Sequence, residues 1–313
     1  MKNVWRAVLT ALWLTVALAG ATGAARAEPA QVTVGTYINK IQDVSFRDNR
    51  YVVDFYVWFR WKPEGALKDY EPLESFELIN GIITSRTSAV EKTIGDLRYA
   101  SVRVNATIAE TWNLENFPFD EHRLKIHFED SEHVARDLVF VPDTTNSRIG
   151  DEIDLAGWSL SNFAADVTPK VYKTNYGDSS LPTDARSEYS RFTVGMDMTR
   201  DTYGSAYKLL STVLAATAVA FVAFMVKPTD LDPRFGLGVG ALFAVAASAF
   251  VVSSSVPDSG VMTVADFIHI IAMVSIFASL LQSALALKFE VTGREKLADK
   301  LDHWSLVIFP VLF

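Results

Sequence analysis

The chain has 313 residues, no cysteine, five histidines and a formal net charge of −8. The missing cysteines exclude a disulfide framework, thiolate metal sites and a cysteine nucleophile, and an acidic chain without a basic block does not suit nucleic acid. Half the residues are hydrophobic although 21% are charged, and the mean hydropathy is +0.17, so the apolar residues must be clustered in a chain long enough for roughly two domains.

The first cluster is N-terminal. Lys2 and Arg6 flank the start of an apolar run, residues 7–25, that closes on Ala25-Arg26-Ala27. A basic start, an apolar middle and a small-x-small end are the pattern of a secretory signal peptide, here residues 1–27, cleaved after Ala27. The alternative is an uncleaved membrane anchor. Either way the residues that follow are expected on the exported side.

Residues 28–204 read as many short strands. From Tyr51 to Trp61 the residues alternate with period two, which puts Phe55, Val57, Phe59 and Trp61 on a core face and Tyr56, Trp58 and Arg60 on the other. Residues 97–108 alternate as well, as do Leu124, Ile126 and Phe128, and then Phe192, Val194, Met196 and Met198 up to Arg200. Turn residues separate these runs at Asp48-Asn49, Lys62-Pro63-Glu64-Gly65, Asn80-Gly81 and Tyr176-Gly177-Asp178. Short strands punctuated this way predict an all-β sandwich or barrel.

Residues 205–313 read as membrane. Helices are expected at about 205–226, 235–256 and 261–288, each apolar for long enough to cross a ~30 Å hydrocarbon core. A fourth apolar run, about 302–313, is too short to span; it is either an incomplete helix or an interfacial tail. Lys227 and Arg234 follow the first span, Lys288, Arg294, Lys296 and Lys300 follow the third, and residues 257–262 carry neither Lys nor Arg. The positive-inside rule then makes the first and third connections cytoplasmic, which agrees with an exported β region.

Three motifs carry a family resemblance. Phe117-Pro118-Phe119-Asp120 with Leu124 after it, Trp61 closing a long strand before a turn, and the run from Arg234 through Gly236-Leu237-Gly238 to Pro257 stand in this order on this topology. Together they resemble the pentameric ligand-gated ion channels, the Cys-loop receptor superfamily, in their bacterial form. In animal members a disulfide closes the signature loop; here the two positions fall at Glu110 and Leu124. The resemblance implies an immunoglobulin-like periplasmic sandwich, a transmembrane four-helix bundle in the inner membrane, a homopentamer among lipids, and passive flow of small ions gated by a small molecule or protons. It implies no cofactor, and no nucleophile–base set or phosphate loop points to an enzyme.

Steps of four and three from Gly236 select Gly236, Gly240, Phe243, Ala247, Phe250 and Ser254, one helical stripe. The resemblance makes this stripe pore-lining, with Phe243 the gate and Phe250 a second constriction, since apolar rings gate by dewetting. The alternative is that the small residues serve close helix packing. Selectivity is expected at Asp232 and Arg234. A carboxylate just before the basic position goes with cations, although Pro233 and Gly236-Leu237-Gly238 look like the glycine and GABA receptors.

The resemblance also assigns coupling to a cluster of Asp120 and Arg200 with the loop residues Phe117, Pro118 and Phe119. Asp43 is expected as the third charged member, and Pro257 and Asp258 across the junction; a plain structural ion pair is the alternative. Ligand pockets in the family lie between subunits. Tyr56, Trp58 and Arg60 would form one side, and Tyr172, Tyr176 and Tyr189 the other, where aromatic faces suit a cation; interface packing explains the same residues. His122, His127 and His133 read as surface histidines, with proton sensing as the alternative. A membrane-anchored, non-conducting periplasmic binding protein remains the second reading. It fits Ser211-Thr212, where the family carries a first-helix proline, and the short fourth run.

Overall fold

A computed structural model describes residues 28–177, 179–180, 182, 184–257 and 260–313. Residues 1–27, where a signal peptide is expected, and Asp258 lie outside the described residues.

Among the described residues, ten strands form two sheets. β1 (Ala30–Ser45), β2 (Arg50–Trp61), β4 (Gly81–Ile94), β5 (Leu97–Ala109) and β7 (Leu138–Pro142) are ordered β4-β5-β2-β1-β7, with β8 (Arg148–Ile149) also on β1. β3 (Phe76–Leu78), β6 (Glu121–Asp130), β9 (Trp158–Tyr172) and β10 (Ser187–Arg200) are ordered β3-β6-β10-β9. Pairing is antiparallel except where β7 and β8 meet β1. The alternation read from sequence holds. Tyr51, Val53, Phe55, Val57, Phe59 and Trp61 are buried while the residues between them are half-buried. One core joins both sheets, with Phe55 meeting Phe128 edge-on at 5.6 Å. Burying each such ring is worth ~1.5–3 kcal/mol.

Among the described residues, four long helices follow: α1 (Thr202–Val222), α2 (Leu231–Ser255), α3 (Val264–Val291) and α4 (Glu295–Leu312). Three segments, Ala206–Met225, Leu231–Ser255 and Val264–Val291, are long and apolar enough to cross a membrane. They pack around Val213, Ala220, Val245, Ala272 and Ile276. Gly238 sets the approach of α2 to α3, because a Cβ there would lie 2.5 Å from Leu280 Cδ2.

All four helix starts differ from the sequence expectation, two of them by only three residues and two by four or more. α2 begins at Leu231 rather than 235, since Pro233 sits in its first turn, where no intrahelical N–H is lost. α4 begins at Glu295 rather than 302. Its inward residues are Ala298, Asp302 and Ser305, a largely polar stripe that a search for apolar runs passes over. α3 starts on a capping box: Thr263 Oγ1 accepts from Asp266 N (3.1 Å) and Asp266 Oδ2 accepts from Thr263 N (2.9 Å). That accounts for the carboxylate inside an apolar segment.

Candidate functional site

The helix stripe comes first. At about 100° per residue, Gly236, Gly240, Phe243, Ala247, Phe250 and Ser254 fall within about 40° of one line along α2. All six are exposed in the chain, Phe243 at 73% and Phe250 at 75%. The opposite side, Arg234, Gly238, Ala241, Val245 and Val252, is buried. A Cβ built on Gly236 or Gly240 meets nothing within 4 Å, so these two glycines serve no close packing inside the chain; Gly238 does.

Asp232 shares the exposed line, but Arg234 does not, and its expected place beside Asp232 is corrected here. Two residues are about 200° of helical rotation, which turns Arg234 into the bundle, where it is fully buried. It donates to both carboxylate oxygens of Asp302 (2.8 Å to Oδ2), to the Val226 carbonyl and to Gln282 Oε1 (3.4 Å). Gln282 Nε2 in turn donates to Asp302 Oδ1 at 2.8 Å. One arginine thus ties the base of α2 to α3, α4 and the turn after α1.

The second constellation lies where the sheets meet the helices. Asp120 precedes β6 and Arg200 ends β10. Arg200 Nε and Nη2 donate to the two Asp120 oxygens at 2.7 and 3.0 Å, a bidentate pair. His122 Nε2 is 2.6 Å from Asp120 Oδ2. Burial pushes the Asp120 pKa up, but the bonds from His122 and Arg200 outweigh it and hold the carboxyl at about 2. The guanidinium lies 4.1 Å over Trp158, 5.0 Å from Phe117 and 5.1 Å from Phe46. Phe117 and Pro118 are buried, Phe119 is exposed, and Pro257 is half-buried.

Asp43 is not the third member. It lines a cavity with Arg47, Arg50, Ser254 and Ser255, near the end of α2. His122 takes the third place instead, in an aromatic cage of Phe46, Trp112 and Trp158. The surface reading of the histidines is likewise corrected: His122 is buried and the other two are half-buried. His133 Nδ1 sits 2.7 Å from Asp130 Oδ1. Burial, then the cations Arg191, Lys125 and Lys170, lower the His127 pKa to about 4.

The signature loop also reaches the helices through its backbone. Val264 N donates to Glu115 O and Ala265 N to Phe117 O, both at 3.1 Å. These are first-turn N–H groups that α3 cannot satisfy itself, so the loop caps the helix. No side-chain pattern encodes that contact.

The aromatic candidates divide between the sheets. Tyr172, Tyr176 and Tyr189 cluster, with ring centroids 6.4 Å (172–176) and 5.7 Å (172–189) apart. Arg191 donates to the Tyr172 hydroxyl (2.8 Å) and to Glu129 (2.6 Å); burial and the Glu129 charge push the Tyr172 phenol up. Tyr56, Trp58 and Arg60 are on the other sheet. Trp58 packs where Gly35 lacks a Cβ, and its Nε1 donates to Asp143 at 3.1 Å. Arg60 donates to the same carboxylate at 2.9 Å. Trp58 and Arg60 are therefore committed to buried Asp143, and only Tyr56 of this set keeps its polar end uncommitted to it.

No family model matches the chain.

Proposed function

We propose that this chain is the subunit of a homopentameric ligand-gated ion channel, of the family its sequence resembles. Its β region forms an immunoglobulin-like periplasmic sandwich and its helices, α4 included, a four-helix bundle in the bacterial inner membrane. The observation that carries this reading is the exposed line on α2. A helix packed on one side presents two glycines, an alanine, a serine and two phenylalanines on the other, with Asp232 at its base. Five copies around an axis turn that line inward. The small residues leave room for water, and rings of Phe243 and Phe250 close it by dewetting. Asp232 then sets a preference for cations at the mouth.

The junction supports gating. Arg200 is two residues from the start of α1, and the Asp120 loop caps α3, so a shift of the β6–β10 sheet acts on two helices at once. Such a cluster is an element that can hold two arrangements. The tyrosine cluster on β9, β10 and the loop between them is the receiving end for a ligand, completed by Tyr56 of a neighbouring copy. The second reading, a non-conducting binding or interaction protein on the same fold, is favoured by how apolar the α2 line is.

Particle symmetry and bilayer recording during ligand and pH steps test this. A five-fold particle with gated current is expected. A five-fold particle silent in every condition leaves the second reading, and any other symmetry removes the first. Asp232→Ala is expected to move the reversal potential toward anions; an unchanged value removes the selectivity assignment.

A further inference from the structure

Where α3 ends and α4 begins, charge is sorted by helix face rather than by place in the chain. The exposed line of α3 runs through Phe277 and Leu281. At about 100° per residue, Lys288 falls within about 20° of Leu281, and it is exposed too. Glu290 is turned about 160° away from Lys288. On α4 the buried side is Ala298, Asp302 and Ser305, and Phe309 meets Phe224 at 5.0 Å. Opposite them, Lys296, Lys300, Trp304 and Val307 share one exposed line. The acids of the same turns, Glu295 and Asp299, lie within about 60° of Asp302.

Lys296 and Lys300 are like charges one turn apart, which is unfavourable within a helix. Among the described residues, neither they nor Lys288 form an ion pair. Their depth is fixed by the bond of Asp302 to Arg234, the fourth residue of a segment apolar enough to cross a membrane. With a rise of about 1.5 Å per residue, Trp304 lies about 3 Å from Asp302 toward the hydrocarbon. Lys300 and Lys296 lie about 3 and 9 Å the other way. Two cations, then an indole, then Val307 and Val311 follow the order of headgroup, interface and acyl chain.

We infer that Lys288, Lys296, Lys300 and Trp304 form a binding face for an anionic glycerophospholipid, such as phosphatidylglycerol, in the leaflet at this end of the bundle. The ammonium groups donate to phosphate oxygens, and the indole lies along the glycerol esters. A zwitterionic headgroup brings its own cation, which the lysines repel, so the face selects by charge. It requires the helices to be in a bilayer and does not depend on whether they conduct.

Trp304 is the one tryptophan of residues 202–313, so bromines on the acyl chains quench it selectively. The full-length protein is placed in phosphatidylcholine nanodiscs containing increasing brominated phosphatidylglycerol or brominated phosphatidylcholine. Half-quenching is expected at a mole fraction at least about fivefold lower for the anionic lipid, a gap that about 0.5 M salt narrows. Lys296→Gln combined with Lys300→Gln is expected to bring the two lipids within about twofold of each other. Lys208→Gln, near the start of α1 at the other end of the bundle, is expected to keep the parental gap. Equal quenching by the two lipids, a gap that salt does not change, an unchanged gap in the double variant, or its loss in Lys208→Gln would each overturn the proposal. If the double variant fails to fold, the comparison of lipids and the salt series on the parent decide.

Discussion

Asp120→Asn isolates the charge at the junction while keeping the side chain's shape. The carboxyl titrates at about 2 in the folded protein against an ordinary 3.8. That lowering corresponds to about 2 kcal/mol in favour of the ionised form. The sign follows from linkage: a depressed acid pKa stabilises the fold fully above pH 4, and that contribution is lost as pH falls toward 2. The amide mimics the protonated acid, so at pH 7 the variant should lose about 2 kcal/mol, a drop of roughly 4–8 °C in Tm for a domain of this size. Wild type and variant should converge as pH approaches 2. Trp112 and Trp158 flank His122, so tryptophan fluorescence melts at a series of pH values read the change locally. A variant within about 0.5 kcal/mol of wild type at pH 7, or one whose stability gap does not close between pH 4 and 2, would refute the reasoning.

Further substitutions at three places discriminate among the contacts. Gly238→Ala should destabilise by ~1–3 kcal/mol by overpacking against Leu280, whereas Gly236→Ala and Gly240→Ala should leave subunit stability unchanged or raise it by ~0.5–1 kcal/mol; denaturant titration in detergent separates them. Val264→Pro places proline at the first helical position after an extended Thr263, so the helix should persist by circular dichroism. The lost bond to Glu115 O should cost ~1 kcal/mol, read by thermal melts. Asp302→Ala strands a buried guanidinium and should cost ~3–5 kcal/mol, most of it recovered when Arg234→Met is combined with Asp302→Leu; a double variant no better than the single contradicts the pairing.

What the sequence made legible was whatever repeats with a period. The alternation of β2 located the core face residue by residue, and steps of four and three along α2 found the line that the bundle leaves exposed. What it hid was whatever depends on a partner far along the chain. Arg234 looks like a neighbour of Asp232 until helical rotation turns it to Asp302, 68 residues on. His122 reads as a surface residue because its aromatic cage comes from three separate segments. Asp43 stands near a turn, but it lines a cavity with Ser254 and Ser255 instead. Alternation puts Trp58 and Arg60 on the outward face, yet nothing near them in sequence announces Asp143. The capping of α3 by the loop runs through backbone carbonyls, which no residue identity records.

The absence of cysteine permits a direct test of the central claim, that the exposed line of α2 faces an ion path. Single cysteines placed along residues 234–254 would be exposed to a charged thiol reagent during bilayer recording. Block of current is expected at 236, 240, 243, 247, 250 and 254, with no effect at 234, 241, 245 and 252. Block without that periodicity, or block strongest at the buried positions, would contradict it.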